Sequence, residues 1–148
     1  MAVEWNTSGA LEGIEALKAR VIDATVQATA KGGQAIVAST RDSAKSSFKH
    51  PTGELASSIT STGVQASGGY SWSVRVSPHT VYAGMRERGG TITATRAKAL
   101  SWIGDSGKRV FARSVTQSGT HYFSDGFNES VGRVSEIVES AWAEAFGG

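Results

Sequence analysis

The chain has 148 residues, 39% hydrophobic and 19% charged, with no cysteine and a net charge of +2. That length is the usual size of one domain around one core, and the composition is that of a globular protein. Lack of cysteine excludes disulfides, thiolate nucleophiles and cysteine-held zinc. No apolar run approaches the roughly 20 residues of a membrane span, and no basic-then-apolar signal pattern opens the sequence.

In chain order, residues 1–8 are expected to form a flexible lead. Residues 9–49 read as helical: Leu11, Ile14, Leu17, Val21, Thr25 and Ala28 recur at steps of three and four. Thr7 or Ser8 is placed to cap this helix, with Glu12 and Glu15 near its positive end. Gly32-Gly33 weakens it by about 1 kcal/mol per glycine, so the helix either breaks there or projects beyond its own domain. His50-Pro51-Thr52-Gly53 then fits a type I turn, because proline lacks an amide hydrogen and biases the residue before it away from the helix.

Residues 50–118 form the expected sheet region. Leu55, Ser57, Ile59 and Ser61 alternate with their neighbours, as do Tyr70, Trp72, Val74 and Val76, with Gly68-Gly69 between the two runs. That pattern predicts an antiparallel hairpin. Further strands are expected at 91–95, 99–103 and 109–116. Helical spacing returns over 122–146 through Phe123, Phe127, Val131, Val134, Val138, Ala141 or Trp142, and Ala145, with Phe127 and Val134 expected in the core. The expected architecture is one α+β domain over residues 1–148. It has a long N-terminal helix, an antiparallel sheet of about four or five strands, and a C-terminal helix packed on the sheet.

The small net charge hides an asymmetry. Between residues 86 and 113 stand seven basic side chains, Arg86, Arg88, Arg96, Lys98, Lys108, Arg109 and Arg113, against Glu87 and Asp105. After residue 113, Arg133 stands against Asp125, Glu129, Glu136, Glu139 and Glu144. A basic middle and an acidic tail point to opposed surfaces that meet within a subunit or between neighbours, or to a basic surface facing DNA.

Motifs for catalysis are weak. Gly104-Asp105-Ser106-Gly107 matches the surroundings of a serine-protease nucleophile, but these residue types also make a turn, and no histidine and carboxylate pair accompanies them. Gly84 to Gly89 has phosphate-loop spacing without the lysine that such a loop requires. His50, His79 and His121 lack metal-ligand spacing. Trp102 and Phe111 within the basic stretch suit either the core of a small sheet or base stacking. No catalytic residue, metal ligand or cofactor site is expected.

Four pieces in order carry a resemblance. They are Thr52-Gly53-Glu54-Leu55 with Ile59; Tyr82-Ala83, Glu87 and Gly90-Thr91; Ala99-Leu100-Ser101-Trp102 with Gly107 to Arg113; and Tyr122-Phe123 with Phe127. Over roughly residues 10–146 this order resembles the tail-component family of long-tailed bacteriophages, typified by the gene-ten product of phage HK-ninety-seven. It departs from the family's pattern in lacking an acid between Pro51 and Thr52, in the extra Gly89, and in lacking a proline near Tyr122-Phe123. The resemblance implies a structural virion protein, made in the host cytoplasm and placed at the head–tail junction or upper tail. Such a protein is a tail-completion subunit in a homo-oligomeric ring, meeting neighbouring neck and tail proteins and passing DNA without sequence specificity. It involves no cofactor, no membrane and no enzymatic activity. A tail terminator or head-closure subunit is the alternative within the virion, and a nucleic-acid-binding module the alternative of another class.

Overall fold

The computed structural model describes residues 7–48, 53–104 and 106–147. Its class is α+β: a long N-terminal helix, short antiparallel strand pairs and a C-terminal helix. Helix α1 (Ser8–Ser46) is unbroken through Gly32-Gly33, with Thr7 at its N-cap position but without the expected capping hydrogen bond from the Thr7 side chain. At 1.5 Å per residue its 39 residues span about 58 Å. It ends before Pro51, where the hydroxyls of Ser46 and Ser47 and the amide of Ser47 all donate to the Ser43 carbonyl. Pro51, Thr52 and His50 lie outside the described residues. Gly53, at φ 78°, heads the short helix α2 (Glu54–Ser58) in a left-handed conformation that suits glycine.

Gly32 and Gly33 lie where two faces of α1 are occupied. A Cβ built on Gly32 would lie 3.3 Å from Val134 of the C-terminal helix α4 (Tyr122–Gly147), and one on Gly33 would lie 2.9 Å from Val74. The helices α1 and α4 run antiparallel, with Gly126 against Thr40 at one end and the Trp142 indole donating to Thr25 Oγ1 (3.0 Å) at the other. The approach is closest at Gly126, where a Cβ would sit 2.5 Å from the Thr40 Cα. In this register α4 ends before α1 begins, and residues 8–16 of α1 are all exposed. Of the two outcomes open for the long helix, projection is the one found.

The strands form two nested hairpins. In the first, β1 (Thr60–Ser61) pairs with β4 (Val76–Ser77), and β2 (Gln65–Ala66) with β3 (Trp72–Ser73). Thr62, Gly63 and Val64 face only Val74 and Arg75, so one extra residue makes a bulge. The Arg75 amide there donates to Thr62 Oγ1 (3.0 Å). Gly68 and Gly69, both at positive φ, turn the tip as expected.

After helix α3 (Ala83–Arg88), β5 (Gly89–Thr93) pairs with β8 (Ser114–Ser118), and β6 (Leu100–Ile103) with β7 (Arg109–Ala112). Residues 94–99 bulge out opposite the lone Arg113.

Three expectations change. The strands make four two-stranded ladders and not one sheet of four or five strands, because bulges and excursions interrupt the pairing after two to five residues. Helix α4 packs chiefly on α1 and not on the sheet, since the small residues Gly126 and Ser130 give its inner face the closer fit to another helix. Residues 54–58 are helical, not extended. Leu55 and Ile59 satisfy helical spacing as well as alternation, and the burial of Ala56 together with them in the core decides for the helix.

The core gathers at the C-terminal half of α1: Val37, Ala44, Leu55, Ala56, Ile59, Ala83 and Tyr122, with Phe48, Val76, Tyr82 and Phe123 packed against it. Arg41 pins α2 to α1 by donating from Nε and Nη2 to the Ile59 carbonyl, at 3.0 and 2.8 Å. Phe127 stays 45% exposed, contrary to expectation, and Val134 is half-buried. The contact face of α4 is narrower than its apolar stripe.

The glycine contacts give a paired test. Gly126→Ala is expected to lose about 1–3 kcal/mol, because its methyl meets backbone that cannot move aside. Gly132 has nothing within 4 Å of a built Cβ, so Gly132→Ala is expected to gain up to about 1 kcal/mol. Thermal melting of both variants checks the contrast.

Candidate functional site

Part of the resemblance gathers around the core, while its third piece lies in β6 and β7. Leu55, Ile59 and Ala83 are buried in the core, and Tyr82 packs on its edge. Burial first, and then hydrogen bonding to the Glu54 carboxylate, push the Tyr82 hydroxyl pKa up. Gly90 pairs with Gln117, and Thr91 with Thr116, where the two threonine hydroxyls lie 2.8 Å apart. Thr52 lies outside the described residues.

Glu87 acts on a neighbouring element. His121, at φ 53°, leads into α4 and leaves the first amides of that helix without carbonyl partners. The Glu87 carboxylate accepts from the Phe123 amide (2.8 Å), the Ser124 amide (3.1 Å) and the Ser124 hydroxyl (2.6 Å). It thus caps α4 from outside, in the place of a local N-cap side chain and with the charge that a helix N-terminus favours. Burial works against its ionisation. The Ser124 hydroxyl, the two amides and the charge of His121 outweigh burial and hold its pKa below the ordinary 4.5. Burial, followed by the Glu87 charge, pushes the adjacent Tyr122 hydroxyl up to about 12.

The same joint fixes the base of the second hairpin. The amides of Thr120 and His121 donate to the carbonyls of Arg86 and Glu87. A Cβ on Gly89 (φ 76°) would meet the Gly119 amide nitrogen, and one on Gly119 the Glu87 carbonyl oxygen, each at 2.5 Å. Gly89 is therefore what lets β5 pass the end of β8.

From this base β6 and β7 extend as an arm. Leu100, Trp102, Val110 and Ala112 share one of its faces, and Ser101, Ile103, Arg109 and Phe111 the other. Ile103 and Phe111 are 61% and 66% exposed, and Trp102 and Val110 are also exposed. Trp102 and Phe111 therefore do not fill a sheet core. At the tip, the Gly104 amide donates to the Lys108 carbonyl and the Gly107 amide to the Gly104 carbonyl, each at 2.9 Å. The Gly-Asp-Ser-Gly stretch is thus a hairpin turn, with Asp105 outside the described residues.

The seven basic residues separate into two groups. Arg86 lies over the Phe48 ring, 5.0 Å from its centroid, and Arg88 folds back toward Gly84 in α3. Arg96, Lys98, Lys108, Arg109 and Arg113 all belong to the arm and are exposed, and among the described residues none has an ion-pair partner. Gly84 to Gly89 is mostly helix and not a phosphate loop. His79 lies 2.9 Å from Thr60 Oγ1, His121 heads α4, and His50 is outside the described residues. Among the described residues no three metal-ligating side chains come together, and no helix is long and apolar enough to cross a membrane.

Sequence reasoning missed the outer face of α4. Phe127, Val131 and Trp142 are exposed there, in a row that hydrophobic spacing assigns to the core. Between α1 and α4 an open groove of about 740 Å³ mixes Arg20, Lys31 and Arg133 with Asp23, Glu136 and Glu144, so neither sign of charge dominates it. No family model, curated protein or solved structure matches the chain.

The Glu87 cap gives a pH test. Because its pKa is lower folded than unfolded, its stabilisation is fully present above about pH 4.5 and is lost as pH falls through the folded value. Glu87→Ala is expected to cost about 1–2 kcal/mol at pH 7. Its difference from the parent chain should close in acid. Denaturant melts from pH 7 to pH 3 check this, and a constant difference would remove the charge from the explanation.

Proposed function

We propose that the chain is a structural subunit of a long-tailed bacteriophage, a tail-completion protein in a ring at the head–tail junction through which DNA passes. It contributes surface and not chemistry, needs no cofactor, and meets further copies of itself and neighbouring neck and tail proteins. The observation that carries this proposal is the exposed β6–β7 arm. A two-stranded hairpin is marginal alone in water, and this one shows apolar side chains on both faces. Such an element belongs against another surface. The ordered resemblance supplies the virion context. Leu55, Ile59, Tyr82 and Ala83 share one core and Glu87 caps α4, which supports reading that order as one unit. A tail terminator or head-closure subunit would use the same surfaces at an adjoining level of the neck.

One observation favours a nucleic-acid-binding module instead: exposed Trp102 and Phe111 stand among five exposed cations of the arm. The two readings separate genetically. A nonsense mutant lacking a neck subunit is expected to accumulate packaged heads and complete tails that remain unjoined, and purified protein should restore joining in extracts. A mutant that fails to build capsids, package DNA or replicate its genome would reject the neck assignment.

A further inference from the structure

Helix α4 carries the converse of the arm. At 100° per residue, Phe127, Val131 and Trp142 fall within about 60° of its circumference. Asp125, Glu129, Glu136 and Glu139 are all exposed and occupy about 80°, beginning about 60° beyond Trp142. Glu129 also accepts from the Ser39 hydroxyl, and Glu136 also lines the groove against α1. The three apolar side chains are 44–47% exposed, and Arg133, the one cation of the helix, lines the groove against α1. An apolar strip and an anionic strip therefore lie on the two sides of the solvent-facing surface of α4. The arm presents apolar side chains beside five cations. Within one chain the two do not cover each other, since both remain exposed and the arm leaves from the head of α4.

We propose that the β6–β7 arm of one copy docks on the outer face of α4 of a second copy. Ile103 and Phe111, which share a face of the arm with Arg109, would lie against Phe127 and Val131, and Arg96, Lys98 and Arg109 would face Glu129, Glu136 and Glu139. Complementary potentials favour this pairing, and like charges oppose arm-on-arm and helix-on-helix contacts. The contact is heterologous, because each copy offers an arm and a different surface to receive one. Contacts of that kind repeat around a ring or along a filament. The proposal rests on the neck reading only for the place of such a ring in the virion; the contact itself is a property of the purified chain.

The test mixes two charge-reversed full-length proteins. One carries Arg96→Glu, Lys98→Glu and Arg109→Glu; the other carries Glu136→Lys and Glu139→Lys. Sedimentation equilibrium at low salt, up to about 1 mM, measures self-association, and thermal melting confirms that each variant folds. The parent chain is expected to associate, and each variant alone to associate at least about tenfold more weakly. Their equimolar mixture should recover association, because a reversed arm meets a reversed helix and a native arm meets a native helix. Should a reversal unfold the chain, Glu136→Gln with Glu139→Gln, and Ile103→Ala with Phe111→Ala, test the same two surfaces and should each weaken association.

A parent chain that stays monomeric throughout, or variants that associate as it does, would overturn the contact. So would a mixture that fails to recover. If in that case arm reversal also abolishes binding to nonspecific duplex DNA, the arm is a nucleic-acid surface. Failure of the neck reading would appear separately, in the lysate of the nonsense mutant.

Discussion

The backbones of α1 and α4 touch at Thr40 and Gly126, and most of the architecture depends on that approach. With only hydrogen on Gly126, α4 settles against α1 deeply enough for Tyr122 to enter the core beside Val37, Ala44 and Ile59. The same placement brings the first amides of α4 within reach of Glu87. A bulkier inner face would hold the helices apart by the thickness of a side chain and would unseat both. The shallow side of this geometry is equally consequential. Because the contact is made by small residues, Phe127 and Val131 flank it and stay outside.

Glu87 links the two ends of the molecule. It belongs to α3, whose following residue starts β5, and it holds the helix that follows β8. The hairpin is therefore anchored at both strands by a charged cap and by the crossing of Gly89 with Gly119. Beyond that anchor no comparable constraint acts on β6 and β7. An arm built this way has a fixed base and an exposed end, which suits an element that finds its packing on another molecule. Five exposed cations stand along the arm, and charged side chains commonly oppose pairing at exposed strand edges.

The long helix follows the same logic from the other side. Gly32 and Gly33 cost helical propensity, yet they admit Val134 on one face and Val74 on the other. The middle of α1 is thus clamped between α4 and the first hairpin. Its first turns carry no such packing, and Leu11 and Ile14 remain more than half exposed. Stability is concentrated at the C-terminal half of α1, and exposed apolar surface at the arm, at the outer face of α4 and at the start of α1.

The α+β class, the two helices, the turn at Gly68-Gly69 and the turn at Gly104 to Gly107 were legible in the sequence, because periodicity and turn chemistry are local. Charge asymmetry was legible too, since it depends only on which residues are present between 86 and 113 and after 113. Tertiary structure alone decided the rest. Leu55 and Ile59 fit a strand or a helix, and only the burial of Ala56 together with them against α1 selects the helix. Phe127 and Val134 share a stripe, but which part of it meets α1 depends on where a glycine lets two backbones touch. Glu87 stands 36 residues before the amide of Phe123 that it caps. No local pattern announces that bond, because its partner is chosen by the fold and not by spacing.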